Sequence, residues 1–208
     1  MSDERAGAGG QGALASAVRW LLWANAAIAA IAIAIVILWL RGFDSFGTDA
    51  AEQAFAWAEF GLFVGTAIAF LVWLYRAKAN ARALGAGDMM VSPGWAVGWY
   101  FVPLANLVMP FTTMRELWQA SARPRDWQLA PGSPVIPVWW ACWLGSSITG
   151  NAAFLFRLQQ DREALFVADF MALVSTVLTI PSALALAWIV GRIQAMQESP
   201  SHIAKHFS

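Results

Sequence analysis

Apolar residues run together along this chain instead of recurring at the period of an amphipathic helix or strand. Four runs are long enough to cross a hydrocarbon core as a helix, which takes about 20 apolar residues. They are Val18 to Leu40, Ala54 to Tyr75, Val135 to Phe156 and Leu165 to Val190. Pro181 interrupts the last. A proline inside a span removes one backbone hydrogen bond and kinks the helix, which neighbouring helices accommodate. Residues 18–197 are therefore expected to form a single membrane domain. Residues 1–17 are expected as a disordered cytoplasmic tail and 198–208 as a C-terminal tail.

A fifth apolar run, from Ser92 to Phe111, carries Pro103, Asn106 and Pro110. A simple spanning helix does not choose these residues. The expected fold is an all-α polytopic bundle. It has four transmembrane helices plus a proline-broken re-entrant or interfacial hairpin over about residues 93–121. Five transmembrane helices are the alternative.

Lysine and arginine favour the cytoplasmic side, so they discriminate between the two. With four spans and a cytoplasmic amino terminus, ten of the 13 fall inside and only Arg41, Arg157 and Arg162 fall outside. With five spans, seven fall inside and six outside, which is no bias. Four spans with both termini cytoplasmic is the preferred reading. Gly94 to Val102 then forms a short helix ended by Pro103. Asn106 caps backbone groups freed at the break, and Pro110 opens a new helix. In that helix Phe111, Met114, Leu117 and Trp118 share one face. Thr112, Thr113, Arg115, Glu116 and Gln119 share the other, the pattern of a helix lying in the interface. The second span continues as a helical stem to Leu84 and stops at Gly85. On this stem Arg76 and Asn80, one turn apart, are placed to face Asn106, Arg115 or Glu116.

Composition sharpens the class. The chain is 59% hydrophobic and 12% charged, where a soluble domain carries about 25% charged residues. Net charge is zero, so a basic surface for nucleic acid is not supported. Gly61 and Gly65, Ser146 and Gly150, and Ala26, Ala30 and Ala34 present small residues at four-residue spacing, which lets helices approach closely. Packing within the bundle is the first reading of these, and a homo-oligomer the second. Most of the 13 Trp lie toward span ends and read as an aromatic belt. Cys142 reads as an inert thiol in an apolar run.

Phe70 to Asn80, Ala83 to Gly85, Ser92 to Asn106, Pro110 and Arg115 to Trp118 together resemble the bacterial membrane family catalogued as domain of unknown function 4328. Arg192 to Gln194 and Gln197 resemble that family's end. The likeness covers roughly residues 18–197 and is most specific from Trp73 to Trp118. It implies a multi-pass protein of the bacterial cytoplasmic membrane and no established activity.

Ionisable residues inside spans are functional candidates because charge in lipid is costly. Glu59 and Asp169 are two, and Asn151 and Arg157 lie at similar depth. Together they suggest an ion or proton site, against the plainer reading of interfacial carboxylates paired with Arg157 or Arg41. Arg19 and Asn25 read as polar contacts between helices. Two matches are set aside. The G-x-G-x-x-G at Gly7, Gly9 and Gly12 has no preceding strand. His202 and His206 have no third ligand, so no metal is expected. No nucleophile–base–orienter set is visible, so no catalytic residue and no cofactor is assigned.

The leading expectation is a non-enzymatic membrane module that binds membrane lipid or a protein partner at its cytoplasmic face. The candidate residues are Arg76, Lys78, Asn80, Arg82, Trp95, Trp99, Asn106, Arg115, Glu116 and Trp118. Arg76, Lys78, Arg82 and Arg115 are the expected contacts to anionic lipid. A small transporter or channel using Glu59 and Asp169 is the alternative. A lipid-modifying enzyme ranks last.

Overall fold

The structure is a computed structural model that describes residues 2–42 and 49–199. Asp44, His202 and His206 lie outside the described residues. Among the described residues six α-helices follow one another: α1 (Ser2–Leu40), α2 (Asp49–Ala83), α3 (Pro93–Gly98), α4 (Met109–Ala122), α5 (Val135–Arg157) and α6 (Arg162–Gln197). Short 3₁₀ turns occupy Trp99–Phe101, Ala105–Leu107 and Trp127–Leu129. Among the described residues there is no strand.

Three helices are long and apolar enough to cross a membrane, over Gly10–Leu40, Gln53–Ala83 and Arg162–Gln197. The run expected as a further span forms α5, 23 residues long. Its three tryptophans and its Ser146, Ser147, Thr149 and Asn151 dilute its apolar content, and it falls outside that set. The long helices leave large apolar side chains uncovered, among them Phe60, Phe63, Ile68 and Phe166. Exposed apolar side chains along helices of this length are what contact with a membrane or partner requires.

Helix boundaries follow local chemistry. α1 starts well before Val18, and Ala15 is already buried. α2 runs through the stem without a break and ends where Gly85 adopts φ +119°. There the amide of Ala86 reaches back to the carbonyl of Ala81 at 3.1 Å, the closing bond of a glycine C-cap. Ser92 caps α3, its hydroxyl accepting from the amide of Trp95. Pro110 sits in the first turn of α4, where its missing N–H is no loss.

The chain divides into two compact units. Unit 1 comprises Met1–Trp20, Thr66–Pro137 and Leu186–Ser208, and unit 2 comprises Leu21–Gly65 and Val138–Ala185. The core of unit 1 is built on Trp73, Leu74, Ala77, Met114, Leu117, Ile189 and Ile193, all fully buried.

In unit 2, α5 and α6 meet through small residues and hydroxyls. Ser146 Oγ lies 3.2 Å from Ser175 Oγ and 3.0 Å from Thr179 Oγ1. A Cβ added to Gly145 would come within 2.9 Å of the Leu178 side chain, and one added to Gly150 within 3.1 Å of Ser175 Oγ. The Ser146–Gly150 spacing thus packs as expected. Gly61 and Gly65 differ, because a Cβ on either would meet nothing within 4 Å. Of the small residues expected at four-residue spacing on α1, Ala26 is buried, while Ala30 and Ala34 are not; Ala29 is buried in their place. The tryptophans also divide. Trp20, Trp39 and Trp57 are exposed as a belt requires, but Trp73 and Trp139 are core residues.

Candidate functional site

The polar residues of unit 1 sort into a buried set and an exposed set. At the centre of the first, Lys78 of α2 pairs with Glu116 of α4, with 0% and 3% of their side chains exposed. The ammonium also lies 3.7 Å from Met89 Sδ. The second carboxylate oxygen of Glu116 accepts from the amide of Met90 at 2.5 Å. One carboxylate therefore ties α4 to the stem and to the loop that follows it. Enclosing two ions costs several kcal/mol each, repaid only by close geometry and satisfied hydrogen bonds. Both oxygens of the Glu116 carboxylate have a partner here.

This corrects two expectations. Lys78 does not face lipid headgroups, since its charge is neutralised inside the protein. Nor is α4 polar on one side and apolar on the other. Met114 and Leu117 are buried as expected, but Thr113 and Glu116 of the supposed polar face are buried too. The pairing with Lys78 draws that face inward, which residue periodicity in α4 alone could not reveal.

A second node lies at the end of α6. The side-chain amide of Gln197 donates to the Ala77 carbonyl at 3.0 Å and to Ser121 Oγ at 2.9 Å. Its oxygen accepts from Asn80 Nδ2 at 2.9 Å and from Gln11 Nε2 at 3.2 Å. Four segments, α1, α2, α4 and α6, meet on one side chain. Asn80 thus faces Gln197 and not Asn106, Arg115 or Glu116. The loops are held in the same way. Arg82 donates to the Met89 carbonyl at 3.2 Å, Trp127 Nε1 donates to Asp88 at 2.9 Å, and Gln119 donates to the Ala130 carbonyl at 2.7 Å. Met89, Ser121, Asp88 and Gln197 were missed as members of the site. Each is an ordinary polar or apolar residue in sequence, and only tertiary pairing distinguishes it.

Asn106 was expected to cap the break and does not. It lies in the Ala105–Leu107 turn, and its buried Oδ1 has no hydrogen-bond partner. The 3₁₀ turns close the freed amides instead. Trp73 Nε1 and Thr113 Oγ1 are likewise buried without a partner. The rings of Trp95 and Trp99 pack tilted to each other with centroids 4.6 Å apart, and Trp95 is 54% exposed.

The exposed set is cationic. Arg76, Arg115, Arg123, Arg125 and Arg192 are all exposed and form no ion pair among the described residues. Arg192 lies 6.0 Å above the ring of Trp188, which stacks on Trp118 at 5.6 Å. Arg19 packs over Gly191, whose missing side chain makes the room: its Nε is 3.2 Å from where a Cβ would stand. Among described side chains, unit 1 holds Arg19, Arg76, Lys78, Arg82, Arg115, Arg123, Arg125 and Arg192 against Asp88, Glu116, Asp126 and Glu198. Unit 2 holds Arg41, Arg157 and Arg162 against Glu59, Asp161, Glu163 and Asp169.

The four residues suggested as an ion or proton site are not assembled into one. Arg157 donates to Asp169 at 2.6 Å, with 57% and 72% of the side chains exposed. Asn151 donates to the carbonyl of Ser147 in its own helix at 2.7 Å. Glu59 is exposed and forms no hydrogen bond or ion pair with any of them. The Asp169–Arg157 pair matches the plainer alternative.

No curated protein and no solved structure matches the chain. One family model matches residues 40–195, a stretch that contains the buried pair, residues 93–121 and the arginines Arg76, Arg115, Arg123, Arg125 and Arg192. The chain belongs to the family described as Domain of unknown function (DUF4328).

Proposed function

We propose that this is a four-span membrane protein whose unit 1 works at the cytoplasmic face as a non-enzymatic module that binds anionic lipid headgroups. In this reading α5 is the fourth span, both termini are cytoplasmic, and the hairpin returns to the side it left. The observation that carries it is the division of cations between the two units. Every described cation that a four-span topology puts inside lies in unit 1, and the three it puts outside lie in unit 2. Compactness and the positive-inside rule are independent criteria, and they select the same residues.

The module's chemistry follows from its two sets of charges. Lys78 is spent on Glu116 and Arg82 on a backbone carbonyl. Arg76, Arg115, Arg123, Arg125 and Arg192 keep their charge available. A cation near an anionic leaflet contributes about 1 kcal/mol, so several together give a retained lipid shell.

The test is lipid recovery. Protein carrying Arg76→Gln, Arg115→Gln and Arg192→Gln is purified from membranes beside the wild type, and co-purified lipid is assayed. The expected result is a marked loss of anionic lipid per protein with membrane insertion unchanged. Equal anionic lipid in both preparations overturns the headgroup reading.

A further inference from the structure

The hairpin between α3 and α4 is unlike the rest of unit 1. From Met89 to Met114 the sequence contains no charged residue. At its turn, Phe101, Leu104, Leu107 and Val108 are 72%, 81%, 45% and 59% exposed. Four large apolar residues are thus gathered at one tip and left largely uncovered by the described residues.

The tip also has a depth. Tyr100, at the start of the turn, packs edge-on against Phe70 of α2 with ring centroids 5.9 Å apart. Phe70 lies in the apolar part of that helix, six residues before Arg76. At 1.5 Å per residue this is about 9 Å along the helix axis. The residues beside Phe70 are therefore at hydrocarbon depth when Arg76 is at headgroup depth.

Irregular backbone is excluded from lipid unless its polar groups are satisfied. Four amides of this tip find partners within it. Ala105 donates to Pro103 at 2.8 Å, Asn106 to Val102 at 2.9 Å, Leu107 to Leu104 at 3.1 Å and Val108 to Ala105 at 3.0 Å. Pro103 has no N–H to satisfy. The tightest of these bonds closes a three-residue γ-turn that places Leu104 at φ 66° and ψ −45°, a strained conformation for a residue with a side chain. The strain presents Leu104 outward at the apex. Trp95 and Trp99, their rings in contact, stand at the start of the hairpin, the side-chain type that settles at the lipid–water boundary.

We infer that Phe101, Leu104, Leu107 and Val108 form a wedge that binds the acyl chains of the cytoplasmic leaflet. Its partner is the hydrocarbon layer itself, not a soluble protein. The inference rests on the proposed placement of unit 1 at the cytoplasmic side, and it adds a contact beneath the headgroups that the arginines would hold.

The test measures depth. Cys142→Ala leaves no other thiol, and a nitroxide is attached at Leu104→Cys, at Val108→Cys or, for reference, at Arg123→Cys. Each protein is placed in nanodiscs of neutral phosphatidylcholine and, separately, of phosphatidylcholine with phosphatidylglycerol. Collisions with oxygen and with a water-soluble nickel chelate are compared. Tip labels are expected to lose nickel collisions relative to Arg123 and keep oxygen collisions in both lipids. Nickel access at the tip equal to that at Arg123 overturns the wedge. Shielding from both reagents also overturns it, because the tip is then covered by protein. Immersion in neutral lipid is independent of headgroup charge. The wedge therefore survives a failed headgroup test, and the headgroup reading survives a failed wedge.

Discussion

Lys78 Nζ and the Glu116 carboxylate meet where neither touches solvent, and the contact joins the stem of α2 to α4. Removing one partner strands a buried charge, which costs about 3–5 kcal/mol, whereas replacing both by apolar residues of similar volume is often neutral or stabilising. Lys78→Met alone and Glu116→Leu alone are expected to unfold at much lower temperature in detergent. The double variant is expected to recover most of the loss. A double variant as unstable as the sum of the singles would mean that the pair acts through something other than mutual neutralisation.

Gln197 holds the end of α6 to three other helices. Gln197→Ala leaves the Asn80 and Ser121 side chains and the Ala77 carbonyl to find new partners. A broken buried hydrogen bond that strands its partner costs about 1–3 kcal/mol. Faster amide exchange is expected in the last two turns of α6, with α5 unaffected. Uniform acceleration through all helices would argue against a local role.

Thr113 is fully buried, and its hydroxyl has no partner. A polar group in that position costs stability that an isosteric methyl does not. Thr113→Val is expected to raise stability by about 1 kcal/mol, read as a higher unfolding midpoint. A lower midpoint would place an unrecognised hydrogen bond at the hydroxyl.

Topology reporters give the most economical check on the membrane arrangement. Fusions at Arg125 and after Ser208 are both expected to report the cytoplasm. A five-span protein puts both outside, and that outcome would remove the basis for the headgroup and wedge readings alike.

Much of the fold was legible because membrane helices are specified by long apolar runs, and backbone satisfaction in lipid leaves few alternatives to a helix. The break at Pro103, the helix opened by Pro110 and the stop at Gly85 were legible for a related reason. Proline and glycine act on their own backbone, whatever surrounds them. The site was less legible. Lys78 and Glu116 are 38 residues apart, and nothing near either residue says which lysine or glutamate turns inward. Arg76, two residues before Lys78 on the same stem, is exposed. A one-residue rotation on a helix is 100°, so neighbours in sequence have opposite fates. Gln197 shows the same limit, since its four partners come from three other helices. Asn106 failed for the opposite reason: local 3₁₀ bonds satisfied the backbone before its side chain was needed.

The sorting of cations between the two units has a consequence for biogenesis. A chain of zero net charge offers the insertion machinery no overall polarity, yet this one carries a strongly lopsided distribution. That lopsidedness is spread over eight described side chains in unit 1, so no single arginine sets the orientation. On the proposed topology, individual positions are free to change without turning the protein over, and only the loss of several at once would erase the address.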